Sequence, residues 1–232
     1  MVVDSTRQKV VSMSKQYQRA RGAIFSRSAQ RTIGKRKLLL IVVLLVCAAC
    51  GGTKTVNGYK IEPGADLTGA NLKNASLKKA NLQDAYLKDA NLVSANLVSA
   101  NLKDANLVSA NLFNANLVGA NLVGASLAFA DLSLADLTGA NLTGAKLNYA
   151  SLKFAILSDT NMTGVDLGRA YLVNTALNGA NLTDADLVFA DLSGKDLRDT
   201  NLTGANLSGA DLTGAKMPAG WEDVVVTDDY RE

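Results

Sequence analysis

From Ala65 to Ser109 the chain reads ADLTG ANLKN ASLKK ANLQD AYLKD ANLVS ANLVS ANLKD ANLVS, and the pattern continues without a slip to Ala219. Residues 65–219 form 31 consecutive blocks of five. With the positions of each block labelled i−2 to i+2, position i is Leu in 29 blocks and Met in two, Met162 and Met217. Position i−2 is Ala in 26, the exceptions being Thr160, Val165, Thr175, Lys195 and Thr200. Position i−1 is Asn in 14 blocks and Asp in 8, while i+1 and i+2 vary freely.

A period of five fits neither regular helix nor flat strand. Five residues advance an α-helix by about 500°, roughly 140° past a full turn, which smears Leu around the circumference. In a flat strand, successive Leu residues fall on opposite faces. A chain that turns a corner every five residues presents Leu and Ala of each block to one interior. Four corners close a square coil of twenty residues, with the large residue at i filling the centre and the small one at i−2 letting the walls approach.

These A-[ND]-L-x-x blocks resemble the pentapeptide repeat family over residues 65–219. The resemblance implies an all-β fold, a right-handed quadrilateral β-helix with i and i−2 inside. The 31 blocks then make a solenoid of about 7.75 four-sided coils, and at roughly 4.8 Å per coil a rod about 37 Å long. Both ends of such a stack expose core and strand edges, so caps are expected. At the start, Asn57-Gly58 signals a turn, and Tyr59 and Ile61 precede Pro63-Gly64, similar to the N-G-Y-x-I-x-P-G stretch found ahead of such repeats. At the end, Pro218 stops the pattern and the single Trp, Trp221, is expected to lie as a lid on the last coil. The expected organisation is therefore residues 1–50 as a basic and apolar signal segment and 51–64 as tether and N-terminal cap. Residues 65–219 are the β-helix, and 220–232 a C-terminal cap with an acidic tail.

The charge follows the same division. Residues 1–64 carry 12 Lys/Arg against 2 Asp/Glu, residues 65–219 carry 11 against 14, and residues 220–232 carry 1 against 5. The zones are thus +10, −3 and −4, summing to the net +3. The basic character belongs to the N-terminal segment and not to the repeats.

Leu38 to Cys50, LLLIVVLLVCAAC, is an apolar run of thirteen. A membrane-spanning helix needs about 20 such residues, and thirteen is a signal-peptide length, with Lys35, Arg36 and Lys37 as the basic flank. Cys47-Ala48-Ala49-Cys50 resembles a bacterial lipobox, although Cys47 stands where Leu or Val is usual. The resemblance implies Cys50 as the lipid-attachment residue. A retained short anchor and ordinary cleavage after Ala49 stay open as alternatives. The basic stretch before residue 35 reads either as a start placed upstream of a true start at Met13 or as an arm for anionic surfaces.

The composition excludes much chemistry. His is absent and the two Cys both lie in the apolar run, so no imidazole catalysis, disulfide framework or Cys–His metal site follows. There is no nucleophile paired with a base and no phosphate-cradling glycine loop. The expectation is a non-enzyme without cofactor or metal. The i−1 Asp residues recur too sparsely for a calcium roll and are expected, with the Asn, to form an external polar ladder. Lys195 breaks the rule at an inward position. It is expected to snorkel out at a local bulge, with Asp196 and Asp199 as candidate partners if its amine escapes the core.

Folding the blocks into faces places residues twenty apart above one another. One i+2 column runs Asp89, Ser109, Phe129, Tyr149, Arg169, Phe189, Gly209, with Phe154 one corner away. Phe129, Tyr149, Arg169 and Phe189 form a candidate interaction stripe, since aromatic residues and Arg mark contact surfaces. The alternative is a surface ladder that merely stacks on itself. The combined expectation is a lipid-anchored rod in the bacterial cell envelope, facing outside the cytoplasm. Its partners would be the membrane, through the signal or lipid, and an unknown protein or its own copy. The competing expectation, implied by the family resemblance, is a DNA mimic that binds type II topoisomerase in quinolone resistance. That role needs a dense acidic surface, which a repeat region of −3 with Lys73, Lys78, Lys79, Lys88 and Lys103 in its first half does not supply.

Overall fold

The computed structural model describes residues 54–221. The signal-like run, Cys47, Cys50 and the tail beyond Trp221 lie outside the described residues.

Each block follows one backbone path. The i−1 residue bridges in parallel to the i−1 residues twenty positions away, as in Asn81↔Asn101 and Asn101↔Asn121. The next four residues turn a corner: the N–H of the following i−2 residue donates to the carbonyl of i, as Ala70 does to Leu67 at 3.0 Å. The i+2 residue takes a positive φ of about 54–69° in the repeats, the conformation a type II turn demands at its third residue. Gly supplies this at Gly69, Gly119 and Gly139, but Phe129, Leu134, Tyr149, Phe154, Arg169 and Phe189 adopt it as well. Among the described residues, only Asp199 and the terminal Ala219 depart from it at i+2.

Three backbone hydrogen bonds per block join neighbouring coils. The N–H groups of i and i+2 donate to carbonyls of the next coil, as Leu92 does to Asn111 and Ser94 to Phe113. The N–H of i−1 donates back to the previous coil, as Asn111 does to Ala90. The obligatory backbone partners are thus found between coils and not within a strand.

The side chains divide as the five-residue period predicts. Leu72 to Leu142 at i are fully buried, and the Ala residues at i−2 from Ala85 to Ala155 are at most 1% exposed. Each buried Leu removes enough apolar surface from water for about 2 kcal/mol of gross burial. Outside, the i−1 Asn and Asp side chains close Asx turns by accepting the N–H of i+1, as Asn106 does from Val108 at 3.1 Å. Amides also link level to level: Asn121 donates to Asn101 and Asn101 to Asn81, at 3.1 and 3.0 Å. This is the external polar ladder expected of the i−1 position.

At the first coil, β1 (Lys54–Val56) and β2 (Tyr59–Ile61) form an antiparallel hairpin. Ile61 is buried, and Val56 and Tyr59 pack against the core. Lys54 Nζ and the Asn57 side-chain amide donate to the carbonyls of Ser76 and Asn71 on the first coil. At the other end Trp221 is partly buried against the same core, with Met217 and Leu212.

Candidate functional site

The square coil carries side chains at i+2 on its corners, and the columns of twenty bring four of them together. The Phe129 and Tyr149 rings are stacked with centroids 5.1 Å apart and planes 6° from parallel. The Arg169 guanidinium lies between the next two rings, 5.9 Å from the Tyr149 centroid and 5.0 Å from that of Phe189. The Phe189 ring in turn lies across Gly209, where a Cβ would meet ring carbons at 2.6 Å. The stripe is therefore ring, ring, guanidinium, ring, closed by a glycine.

These side chains remain open to solvent: Phe129 is 59% and Phe189 50% exposed. They also occupy left-handed backbone, with φ of 59° at Phe129 and Tyr149 and 57° at Phe189. That conformation costs a non-glycine residue about 1–2 kcal/mol. The conformation is shared by almost every i+2 corner, so what sets the stripe apart is its side chains, exposed aromatic residues that core packing does not explain.

The neighbouring corner column carries Leu134 and Phe154, both exposed, and the face between the columns carries exposed Tyr171 and Val173. Lys153 sits 5.4 Å from the Tyr171 centroid. The stripe is thus one edge of a face that carries further exposed apolar side chains among polar ones, Asp131, Ser133, Ser151 and Lys153. Sequence reasoning missed Leu134, Tyr171 and Val173; laying out the adjacent column and the face between would have found them.

Lys195 occupies a second irregularity. It is 8% exposed at its inward position. Burial pushes its amine below the ordinary lysine range, and Asp191 opposes this. The expected partner Asp196 is engaged elsewhere. It accepts from Arg198 Nε and Nη2 at 2.8 and 2.6 Å and faces Lys216 at 3.8 Å. Hydrogen bonding to Arg198 holds the Asp196 carboxyl at about 2. A residue two further along a strand shares its face, so Arg198 reaches Asp196 where Lys195, pointing inward, does not.

Around Lys195 the seam between coils is open. No ladder bond joins Leu172, Asn174, Leu177 or Gly179 to the carbonyls of Asp191, Ser193, Asp196 or Arg198, and the return bonds from Asp191 and Asp196 are missing as well. The corresponding bridges of Tyr171 with Asp191 and Ala176 with Asp196 are absent, while both flanking faces remain joined. The physical reason is steric. Thr175 and Lys195 lie directly above one another at i−2, the only column among the described residues with two successive residues larger than Ala. Among the described residues no cluster of three His, Cys, Asp or Glu side chains could hold a metal ion.

A right-handed stack of four-sided coils, each built from five-residue blocks with Leu inside, is the fold of pentapeptide repeat proteins. The family model for pentapeptide repeats matches in eight copies across residues 65–217, and the chain belongs to that family. Members are generally structural or interaction modules. Among solved structures, the chain is similar to HetL, a pentapeptide repeat protein involved in heterocyst differentiation regulation from the cyanobacterium Nostoc sp. strain PCC 7120. The two are 32% identical over 78% of this chain and 92% of that one, with a TM-score of 0.30. A trypsin-treated variant of QnrB1, a plasmid-mediated fluoroquinolone resistance protein, is 19% identical over 71% and 79% of the two chains, with a TM-score of 0.46. A pentapeptide repeat protein from the Arabidopsis thaliana thylakoid lumen is 28% identical over 60% and 77%, with a TM-score of 0.24. A search of curated proteins returns no match.

Proposed function

We propose that this chain is a non-enzymatic rod, tethered in the bacterial cell envelope by lipid on Cys50, whose aromatic face docks a protein partner or a second copy of itself. The observation that carries the reading is the stripe of Phe129, Tyr149, Arg169 and Phe189. It is exposed and stacked over four successive levels, an aromatic and guanidinium surface that the core does not require. The tether rests on the apolar run with its basic flank and on the lipobox resemblance. A topoisomerase-binding DNA mimic asks for a dense acidic surface, and the most distinctive surface here is aromatic and cationic.

Two block deletions test the face. Removing residues 135–139 keeps Leu and Ala in phase but turns everything beyond the cut by a quarter turn, separating Phe129 from Tyr149, Arg169 and Phe189. Removing residues 130–149 takes out one whole coil and leaves Phe129 beneath Arg169. The five-residue deletion should weaken self-association or cross-linking in the membrane fraction more than the twenty-residue one, although it removes less protein. If both fold by circular dichroism and associate like the wild type, the stripe is not a contact surface. Intact-mass measurement tests the tether: Cys50→Ser should abolish acylation and Cys47→Ser should not. An unlipidated, full-length wild type in the cytoplasm sinks the anchor.

A further inference from the structure

The way the stripe is stacked decides what it shows to a partner. The Phe129 and Tyr149 rings lie face to face, and the Arg169 guanidinium is held between the Tyr149 and Phe189 rings. The Phe189 ring also lies across Gly209. The faces inside the stack are therefore occupied, and edges point outward. A ring edge is the positive end of the aromatic quadrupole, and a guanidinium edge carries only N–H donors.

Arg169 is exposed, and its guanidinium makes no hydrogen bond or ion pair among the described residues; its contacts are the two rings. Those rings fix its plane, which leaves the planar fork set for a bidentate acceptor. Two further exposed cations without an ion pair flank it. Lys146 stands in the block that carries Tyr149, and Lys153 lies over the Tyr171 ring. The neighbouring carboxylates Asp131, Asp166 and Asp186 each accept the N–H two residues on, and none pairs with these cations.

We infer that the partner of the stripe is an acidic peptide segment of another protein, an inference that rests on the stripe being a contact surface. One Asp or Glu carboxylate of the segment is gripped by the Arg169 fork, and an apolar side chain beside it packs on exposed Phe154 and Leu134. A nucleic acid is disfavoured on two counts. Base stacking needs ring faces, which the stack has used, and a repeat region of −3 repels a polyphosphate.

The test selects a displayed library of random peptides on the full 232-residue chain in detergent micelles, at about 0.15 M salt. Enriched peptides are synthesised and titrated calorimetrically. They should carry Asp or Glu next to an apolar residue. Arg169→Gln should weaken their binding at least about tenfold, Arg169→Lys should recover only part of the loss, and changing the peptide carboxylate to its amide should cost nothing more once Arg169 is Gln. If Arg169→Gln does not fold, Arg169→Gly takes its place, because glycine suits the φ of 56° at this corner. Peptides insensitive to Arg169→Gln but lost in a Tyr149→Ser/Phe189→Ser double variant overturn the acidic partner and leave the contact surface standing. Peptides insensitive to both sets overturn both. Failure to enrich any peptide, with self-association that Arg169→Gln abolishes, overturns the acidic peptide in favour of a second copy, and without such self-association it overturns the proposal outright. Saturable, Arg169-dependent binding of a single-stranded oligonucleotide tighter than that of any enriched peptide overturns it in favour of nucleic acid.

Discussion

Replacing Lys195 by Ala should close the seam and stabilise the rod. The substitution restores the residue that fills this column at Ala135, Ala155 and Ala215 and removes a long side chain from an inward position. Six ladder hydrogen bonds are missing between residues 170–179 and 190–199, and each forms at the equivalent place in the seam below. At about 0.5–1.5 kcal/mol net each, closure is worth about 3–9 kcal/mol. The lower figure is expected, because Thr175 still stands beneath. About 3 kcal/mol corresponds to a rise in melting temperature of roughly 6–12 °C for a body of this size. Thermal denaturation followed by circular dichroism measures the gain. Hydrogen exchange locates it: the amides of Leu172, Asn174, Leu177, Gly179, Asp191 and Asp196 should exchange fast in the wild type and become protected in the variant. A Lys195→Ala protein that melts no higher, or whose six amides still exchange fast, refutes the steric account of the opening.

Other outcomes follow from the same geometry. Leu117→Asp places a charge at a fully buried position and should cost several kcal/mol, whereas Val118→Asp, one residue along, should change the melting temperature little. Gly139→Ala meets open space and should cost only the left-handed backbone penalty, about 1 kcal/mol; Gly209→Ala should cost more, since its methyl must displace the Phe189 ring. Chemical denaturation of the pair measures the difference, and equal losses would show that the ring does not rest on Gly209. Because burial lowers the Lys195 pKa in the folded state, the unfolded chain binds more protons, so stability should rise with pH up to the ordinary lysine value of 10.5. Melting curves of Lys195→Met should lack that component.

The inside and outside of the rod were legible because Leu and Ala recur every five residues and no other secondary structure buries both. The stripe was legible once i+2 residues were read in steps of twenty. The backbone under it was not. Gly69 or Gly139 suggests a left-handed corner, but Phe129, Leu134 and Arg169 adopt the same φ against their own preference, because the ladder on both sides of each turn dictates it. The seam was only half legible. Lys195 stood out as one residue at an inward position, but the opening arises from Thr175 and Lys195 in adjacent coils, and reading the i−2 columns in steps of twenty was needed to see it. Arg198 escaped notice for a similar reason: its claim on Asp196 is a contact between alternate residues of one short strand.

The two-to-one bias of the coil-to-coil hydrogen bonds makes the solenoid a dipole. In each block one peptide unit in excess points its N–H toward the C-terminal coil, and a peptide unit carries about 3.5 D. The partial charges accumulate at the two ends: positive where the last coil presents unmatched donors, negative where the first presents unmatched carbonyls. An α-helix has the opposite polarity. The sequence at each end has the complementary sign. Lys54 and Asn57 donate into the carbonyls of the first coil, and in sequence the segment before the repeats, residues 1–64, carries +10 and the segment after them, residues 220–232, carries −4. Two copies meeting head to tail would bring opposite poles together, and two meeting at like ends would not. The backbone alone therefore biases how such rods line up.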